Sequence, residues 1–480
     1  MKILFLNTPF KFKISRASRW VEKTKSGTLY MPFWLAYATG VAEQKGYEVK
    51  LLDAIANDYD FETTIEEIKR FSPSLVVIDT TTPTIYSDLE FVRQLKKEYI
   101  CKVVLVGPHV SALPEQTMEK CKEVDFIARN EYDYTIVDIA DYLKGKKKLK
   151  DIDGITYRSG DLIVSNKDRE PIKELDQLPF VSQIYKKYLD IRDYRYALAK
   201  HPMVQIFTSR GCIFRCTFCT LPQTFTGRIF RARSAENVVR ELEWIKENLP
   251  EVKEIFIEDD TFTIDKERVV KICDLIIKKK LNITWSANVR ADVPYEVLKK
   301  MKEAGCRILI VGYESGNQDI LNKIKKGVTL EMAEEFTKNC KKLGIKIFGC
   351  FMIGLPGDTK ETIMQTFEFA KKLSPDMVFF QQAVPFPGTE FFEWCKKNGY
   401  IRVHRWNQWL DVNGQLDCIV DYPNLKSEEI CKLRDELMVK YYTNPKHILY
   451  TITHNLDIDE MKRLFKAGKD FLKYLMRRKK

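Results

Sequence analysis

Three cysteines stand close together in Ser209-Arg210-Gly211-Cys212-Ile213-Phe214-Arg215-Cys216-Thr217-Phe218-Cys219. The spacing Cys-x3-Cys-x2-Cys puts three thiolates on one short loop, enough for three irons. A four-iron cubane needs four ligands, so a motif with only three leaves one iron open to an outside chelate. That is the arrangement of a reactive [4Fe–4S] centre rather than of a sealed electron store. A zinc site with a distant fourth ligand, or three cysteines incidental to a core, is the competing reading of the same residues. The other nine cysteines, at 101, 121, 273, 306, 340, 350, 395, 418 and 431, are scattered and form no second set of this kind. An auxiliary cluster is therefore disfavoured. Cys350, within a strand run, reads as a small buried hydrophobe.

Such a loop needs a rigid frame. It follows the apolar run Gln205 to Thr208, and similar runs recur at Glu254 to Ile257, Ile283 to Ala287, Ile308 to Val311, Ile347 to Met352 and Met377 to Phe380, alternating with helical stretches. Six βα units predict a partial TIM-type barrel over residues 202–390, with chemistry at the C-terminal ends of its strands. The loops there carry Glu258-Asp259-Asp260, Asn288-Val289-Arg290, Tyr313-Glu314-Ser315-Gly316 and Ile353-Gly354-Leu355-Pro356-Gly357-Asp358-Thr359. Each alone is ordinary turn chemistry; taken in order at successive strand ends, they mark one face.

Upstream, residues 1–145 alternate strands at Ile3 to Leu6, Glu48 to Leu52, Leu75 to Ile78, Val103 to Val106 and Phe126 to Ala128 with helices such as Trp34 to Lys45, ended by Gly46. This is an α/β, doubly wound, Rossmann-like domain with a parallel sheet. The ligand edge of such a sheet is where its strands end, here at Thr8-Pro9, Asp53, Thr80-Thr81-Thr82-Pro83, Gly107-Pro108-His109 and Asn130-Glu131. Residues 146–201 read as a lysine-rich linker with a small hairpin. Residues 391–480 read as a helical C-terminal domain, with helical patterns at Glu428 to Tyr442 and Asp459 to Met476. The last of these has Met461, Leu464, Phe465, Leu472 and Leu475 near one face amid many lysines and arginines. It suits either peripheral contact with an anionic membrane surface or a cap on the barrel with a solvated face.

With 480 residues, 45% of them hydrophobic, the chain is expected to pack as two or three domains. The formal net charge of +12 is spread along the sequence and reads as a solvated surface, so no nucleic-acid partner is expected. The apolar run at Ile3 to Leu6 is too short for a signal peptide, and nothing approaches eighteen consecutive apolar residues, which predicts a cytoplasmic, non-spanning protein. In that compartment thiols stay reduced, and metal or redox chemistry is the natural use of the cysteine cluster.

At Cys212, Cys216, Cys219 and the aromatic Phe218 the sequence resembles the radical S-adenosylmethionine superfamily. The resemblance implies that the methionyl amine and carboxylate of S-adenosylmethionine chelate the open iron, and that electron transfer yields a 5′-deoxyadenosyl radical. It further implies that Asp259 and Asp260 lie against the methionyl amine, that Arg290, Glu314 and Ser315 reach the carboxylate and ribose, and that Gly354, Leu355 and Pro356 let the backbone approach the adenine.

The N-terminal segments Met31-Pro32-Phe33-Trp34-Leu35-Ala36-Tyr37, Val106-Gly107-Pro108-His109 and Arg129-Asn130-Glu131 resemble the cobalamin-binding domains fused to such barrels, with Asn130 where a glycine is common. That likeness implies a corrin over Thr8, Pro9, Thr80, Thr81, Thr82, Gly107, Pro108, His109 and Glu131. No histidine precedes His109 and no DxHxxG loop is present, so the cobalamin is expected base-off without a histidine ligand from that loop. The implied activity is abstraction of hydrogen from an unactivated carbon, followed by C-methylation or by ring formation or rearrangement. The substrate is a small molecule or lipid, with hopanoid and archaeal isoprenoid lipids suggested by similar members, and a flavodoxin or ferredoxin is the expected reductant. The competing functions are a radical tRNA-modifying or methylthiolating enzyme and a corrinoid-binding sensor.

Overall fold

The computed structural model describes residues 1–16, 21–24, 26–445 and 447–449. Strands β1 (Lys2–Asn7), β2 (Glu48–Asp53), β3 (Leu75–Asp79), β4 (Lys102–Val106) and β5 (Phe126–Ala128) run parallel in the order β2-β1-β3-β4-β5. They read as nearly unbroken apolar runs because both faces are covered. Ile3, Phe5, Leu75 and Val77 face one core, under helices Phe33–Gln44 and Asp133–Leu143, while Leu4, Leu6, Val76 and Ile78 face the other, under Phe61–Phe71 and Ile85–Glu98. Strand order reverses between β1 and β3, and the crevice beyond their ends is where a ligand sits in sheets of this kind.

The sheet does not stop where the linker was expected. β6 (Ile155–Ser159) pairs antiparallel with β5, and β7 (Leu162–Ser165) with β6, so the small hairpin is the far edge of the same sheet. The Arg129 guanidinium holds it there through the Ile155 carbonyl and the Thr156 hydroxyl, both at 2.7 Å.

The second sheet begins with β8 (Met203–Ile206), followed by a short antiparallel ribbon of β9 (Ser209–Arg210) and β10 (Arg231–Ala232). It continues through β11 (Glu254–Ile257), β12 (Trp285–Val289), β13 (Cys306–Glu314), β14 (Lys346–Ile353) and β15 (Met377–Gln382). The six long strands are parallel in chain order, an open partial TIM-type barrel.

Helix Phe33–Gln44 joins the two halves, and residues 33–42 are all buried because it is covered by both. Trp34 stacks against Phe207 and Phe225, ring centres 4.5 and 4.7 Å away, and the Tyr37 hydroxyl accepts from the Phe207 amide at 3.1 Å. Beside it lies a buried ion cluster. Arg210 donates to both Asp133 oxygens at 2.9 and 3.1 Å, and Arg231 to both Glu131 oxygens at 2.6 and 2.8 Å.

The C-terminal segment is helical only in part. Helices Glu390–Lys397 and Ser427–Tyr442 are present, but residues 398–426 between them are irregular, with a single turn at Trp406–Trp409 and isolated bridges. That stretch is held by side chains instead, with Trp406 edge-on to His109 at 5.3 Å. The helix expected at Asp459 to Met476 lies outside the described residues. Among the described residues no helix is long and apolar enough to cross a membrane.

Removing one side of a buried ion pair strands the other charge. Asp133→Ala leaves Arg210 with only Glu131, 3.7 Å away, and is expected to cost about 3 kcal/mol, seen as a lower denaturation midpoint. Arg210→Met combined with Asp133→Leu should recover most of that loss. An unchanged midpoint in Asp133→Ala would show that the cluster carries no such strain.

Candidate active site

The cysteine loop runs from β9 without regular structure until Leu221, so other groups must fix its course. Gly211, at φ +83°, opens it where any Cβ would fall 2.1 Å from the Ile229 carbonyl oxygen, and its amide donates to Asp260 at 3.1 Å. The Cys212 amide donates to the Gly227 carbonyl at 3.3 Å, and the Gln223 side-chain amide donates to the Cys219 carbonyl at 2.7 Å. All three cysteines thereby line one cavity of about 1710 Å³, counted out to its open mouth. Burial pushes the Cys212 thiol pKa up, and the Asp260 charge adds to that, so a thiolate there calls for a cation beside it. Among the described residues no three His, Cys, Asp or Glu side chains converge as for a single metal ion. A cubane spreads its thiolates over separate irons.

The cavity extends from the barrel loops to the switch point of the first sheet. Its barrel side carries Phe218, Asp260, Asn288, Arg290, Glu314 and Lys326, and its sheet side Arg16, Asp79, Thr81, Thr82, Gly107 and Pro108. Glu314 adopts φ +65°, unusual for a residue with a Cβ, and its carboxylate accepts from Lys326 Nζ at 2.7 Å. Burial pulls the Lys326 pKa down, but Glu314 and the Cys216 sulfur together push it above the ordinary lysine value. The Arg290 guanidinium stacks on Phe214 at 3.5 Å and donates to the Lys326 and Gly327 carbonyls at 2.6 and 3.1 Å, which pins the loop that presents Lys326.

Other expected contacts lie behind the cavity wall. Asp259 accepts from the Thr208 amide at 2.6 Å and the Ser209 hydroxyl at 2.6 Å, which leaves Asp260 as the carboxylate on the cavity. Ser315 bonds to Thr366 at 3.2 Å. Gly354 makes no approach to the cavity: a Cβ there would fall 2.8 Å from Ile430, and its carbonyl accepts from Tyr422 at 2.8 Å, so this glycine serves the C-terminal segment. Leu355 is buried and Pro356 is not among the lining residues. On the sheet side, Thr8 bonds to Asp88 at 2.7 Å, Thr80 to the Val106 carbonyl at 2.7 Å, and Glu131 belongs to the ion cluster; Pro9 does not line the cavity. His109 Nδ1 meets the Thr82 hydroxyl at 3.0 Å, and no histidine is among the described residues that line the cavity.

Cavity residues that sequence patterns did not single out include Lys326, Arg16, Asp79 and Tyr132, whereas Trp34 lies in the motif at residues 31–37, whose likeness implies no contact for it. Burial raises the Asp79 pKa to about 7, with Arg16 opposing. Trp34 Nε1 and Tyr132 Oη are buried without a hydrogen-bond partner among the described residues.

A parallel sheet with an open switch point, joined through one cavity to a partial barrel bearing a three-cysteine loop, defines an iron–sulfur radical enzyme with a corrin-type domain. The radical SAM superfamily signature matches residues 206–370 and the B12 binding domain residues 20–140. The chain is 33% identical over 455 residues to an uncharacterized methyltransferase of Pyrococcus horikoshii, covering 94% of this chain and 95% of that one. It is 28% identical over 375 residues to an anaerobic magnesium-protoporphyrin IX monomethyl ester cyclase of Rubrivivax gelatinosus, 75% of this chain and 66% of that one. In fold it is similar to the radical S-adenosylmethionine methyltransferase TsrM of Kitasatospora setae, at TM-score 0.71 and 16% identity over 93% of this chain and 89% of that one. The chain belongs to the radical SAM superfamily and carries its B12-binding domain; its cofactors are a [4Fe–4S] cluster, S-adenosylmethionine and cobalamin. The thiol set, the size of the cavity and the two orphaned donors on its sheet side fit that company.

Two outcomes test the site. Cys216→Ala, reconstituted anaerobically with iron and sulfide, should lose cluster iron and reductive cleavage of S-adenosylmethionine while the circular dichroism spectrum stays unchanged. Undiminished cleavage would refute the ligand assignment. His109 is held neutral by burial, its pKa taken from 6.5 down to about 3, so between those values the unfolded chain binds the extra proton and stability falls as pH falls. The slope is about 1.4 kcal/mol per pH unit, and His109→Gln should flatten it in melts taken across that range. Equal slopes would mean the imidazole is not buried in solution.

Proposed function

We propose that this chain methylates an unactivated carbon of a largely apolar substrate, with isoprenoid or hopanoid lipids the class that suits it best. The observation behind this reading is the one cavity that the three cysteines share with the sheet edge and with the apolar side chains of Phe351, Met352, Phe379, Val384, Phe386 and Pro387. When bound, S-adenosylmethionine supplies the hydrogen-abstracting radical on reduction of the cluster, and cobalamin supplies the methyl group.

The chain's own residues divide the work. Cys212, Cys216 and Cys219 hold the cluster. Asp260 and the Glu314–Lys326 pair offer opposite charges to the amine and carboxylate of an amino acid, with Arg290 fixing the loop beneath. Thr81, Thr82, Gly107 and Pro108 would hold the corrin from the sheet side, while the His109 imidazole is engaged by the Thr82 hydroxyl. The apolar mouth excludes water, so that a radical formed inside meets carbon rather than solvent. A flavodoxin or ferredoxin delivers the electron, and the many lysines and arginines of residues 459–480 favour an anionic lipid surface.

Ring closure is the second reading, favoured by the name of the cyclase relative. One experiment separates them. The anaerobically reconstituted protein is mixed with cobalamin, a strong reductant, methyl-deuterated S-adenosylmethionine and a lipid extract from cells lacking the gene. Methyl transfer predicts bound-corrin absorption, 5′-deoxyadenosine and a lipid heavier by one labelled methyl group. An altered lipid without label would favour ring closure. Failure to bind corrin and to form deoxyadenosine would overturn both.

A further inference from the structure

Three side chains meet at the sheet end of the cavity from three separate elements. Trp34 comes from the start of helix Phe33–Gln44, Asp79 from the end of β3, and Tyr132 from the turn after β5. Their exposures are 5%, 3% and 1%, so each is shut off from bulk water. Phe225 bridges the two aromatic rings, 4.7 Å from Trp34 and 5.8 Å from Tyr132, and Asp79 stands near enough to Tyr132 to oppose ionisation of its hydroxyl.

Among the described residues the indole N–H and the phenol O–H have no hydrogen-bond partner. Buried donors are rarely left so, and each unmade bond costs about 1–3 kcal/mol. Polar side chains that come from three separate elements and line one cavity, two of them with unsatisfied donors, form a set suited to a ligand. The neighbouring Arg16 does not complete the set internally, because its guanidinium is committed to Asn7, Thr8 and Asp88 at 2.6 to 2.8 Å.

We propose that Trp34, Tyr132 and Asp79 form a carboxamide-recognising corner that grips one amide side arm of the corrin. The assignment rests on the reading that this cavity holds cobalamin. A primary carboxamide matches the corner in both halves: its carbonyl accepts from the indole and phenol, and its NH2 donates to the carboxyl of Asp79. An ester lacks the donor, and a carboxylate or phosphate would set its charge against Asp79. The corrin rim carries primary carboxamides on flexible arms, and holding one of them fixes the rotation of the macrocycle over β1 and β3.

The test uses cobalamin monocarboxylic acids, each with one side-arm amide hydrolysed, titrated into the full chain and followed by corrin absorption and tryptophan fluorescence. For the wild type, one acid of the set should bind at least about tenfold more weakly than cobalamin. Asp79→Asn should bind that same acid within about twofold of cobalamin, since the opposing charge is gone. Tyr132→Phe, which removes only a hydroxyl, should weaken cobalamin about tenfold while keeping the discrimination against the acid. Equal binding of every acid to the wild type, or discrimination that survives in Asp79→Asn, would overturn the corner and leave the corrin reading standing. No binding of cobalamin itself would overturn both.

Discussion

The pairing of Glu131 and Asp133 with Arg231 and Arg210 is the constraint on which the working geometry rests. Both acids sit at the exit of β5, on the first sheet, and both arginines belong to the ribbon that flanks the cysteine loop. Arg210 is separated from Cys212 by one glycine, so the ion cluster sets where the loop begins relative to the sheet edge. Desolvating four charges is expensive, and their attraction returns that cost only in near-ideal geometry. The bidentate contacts meet this demand, and the planar guanidinium of Arg210, 5.0 Å from the ring centres of both Trp34 and Tyr37, gains from their faces as well. An apolar interface of equal area would tolerate sliding; a set of directional charge pairs fixes one register.

From that register the rest of the cavity follows. A loop with no repeating backbone bonds is ordered only where its carbonyls and amides find outside partners, here Gln223, Asp260, Gly227 and Ile324. The strained Glu314 is likewise kept in place by Lys326, whose own backbone is held by Arg290. Polar groups thus support one another inward from the wall, and the strain at Glu314 lies where β13 ends on the cavity.

Much of this fold is legible in the residues alone, because the two periodicities are strong: apolar runs covered on both sides, and helices with one buried stripe. The three-cysteine loop is legible too, since its chemistry depends on local spacing. What eludes a linear reading depends on which side of a loop faces inward. Asp259 and Asp260 are neighbours of the same type, yet one caps backbone amides and the other meets the cavity. Gly354 sits in a glycine-rich loop of the kind that admits a ligand, but its space is taken by Ile430, 76 positions later in the chain. Lys326 carries no motif and becomes visible only when β13 brings Glu314 beside it. Asn130 runs the other way: standing where a glycine is common, it adopts φ +58°, a conformation that asparagine tolerates better than most side chains. The hairpin at 155–165 has the sequence of any exposed hairpin, and only the unpaired edge of β5 turns it into a sixth and seventh strand.

The two ends of the cavity impose opposite demands on the same enclosed volume. Near the sheet, buried donors and a carboxyl with a pKa near 7 make a polar corner that costs stability unless something fills it. On the barrel side, Phe351, Met352, Phe379 and Phe386 add apolar surface that gains most when covered, beside the charged Asp260, Glu314 and Lys326. Linings so unlike within one cavity suit more than one occupant, and the cysteine loop, whose start is fixed by the ion cluster, lines that same cavity.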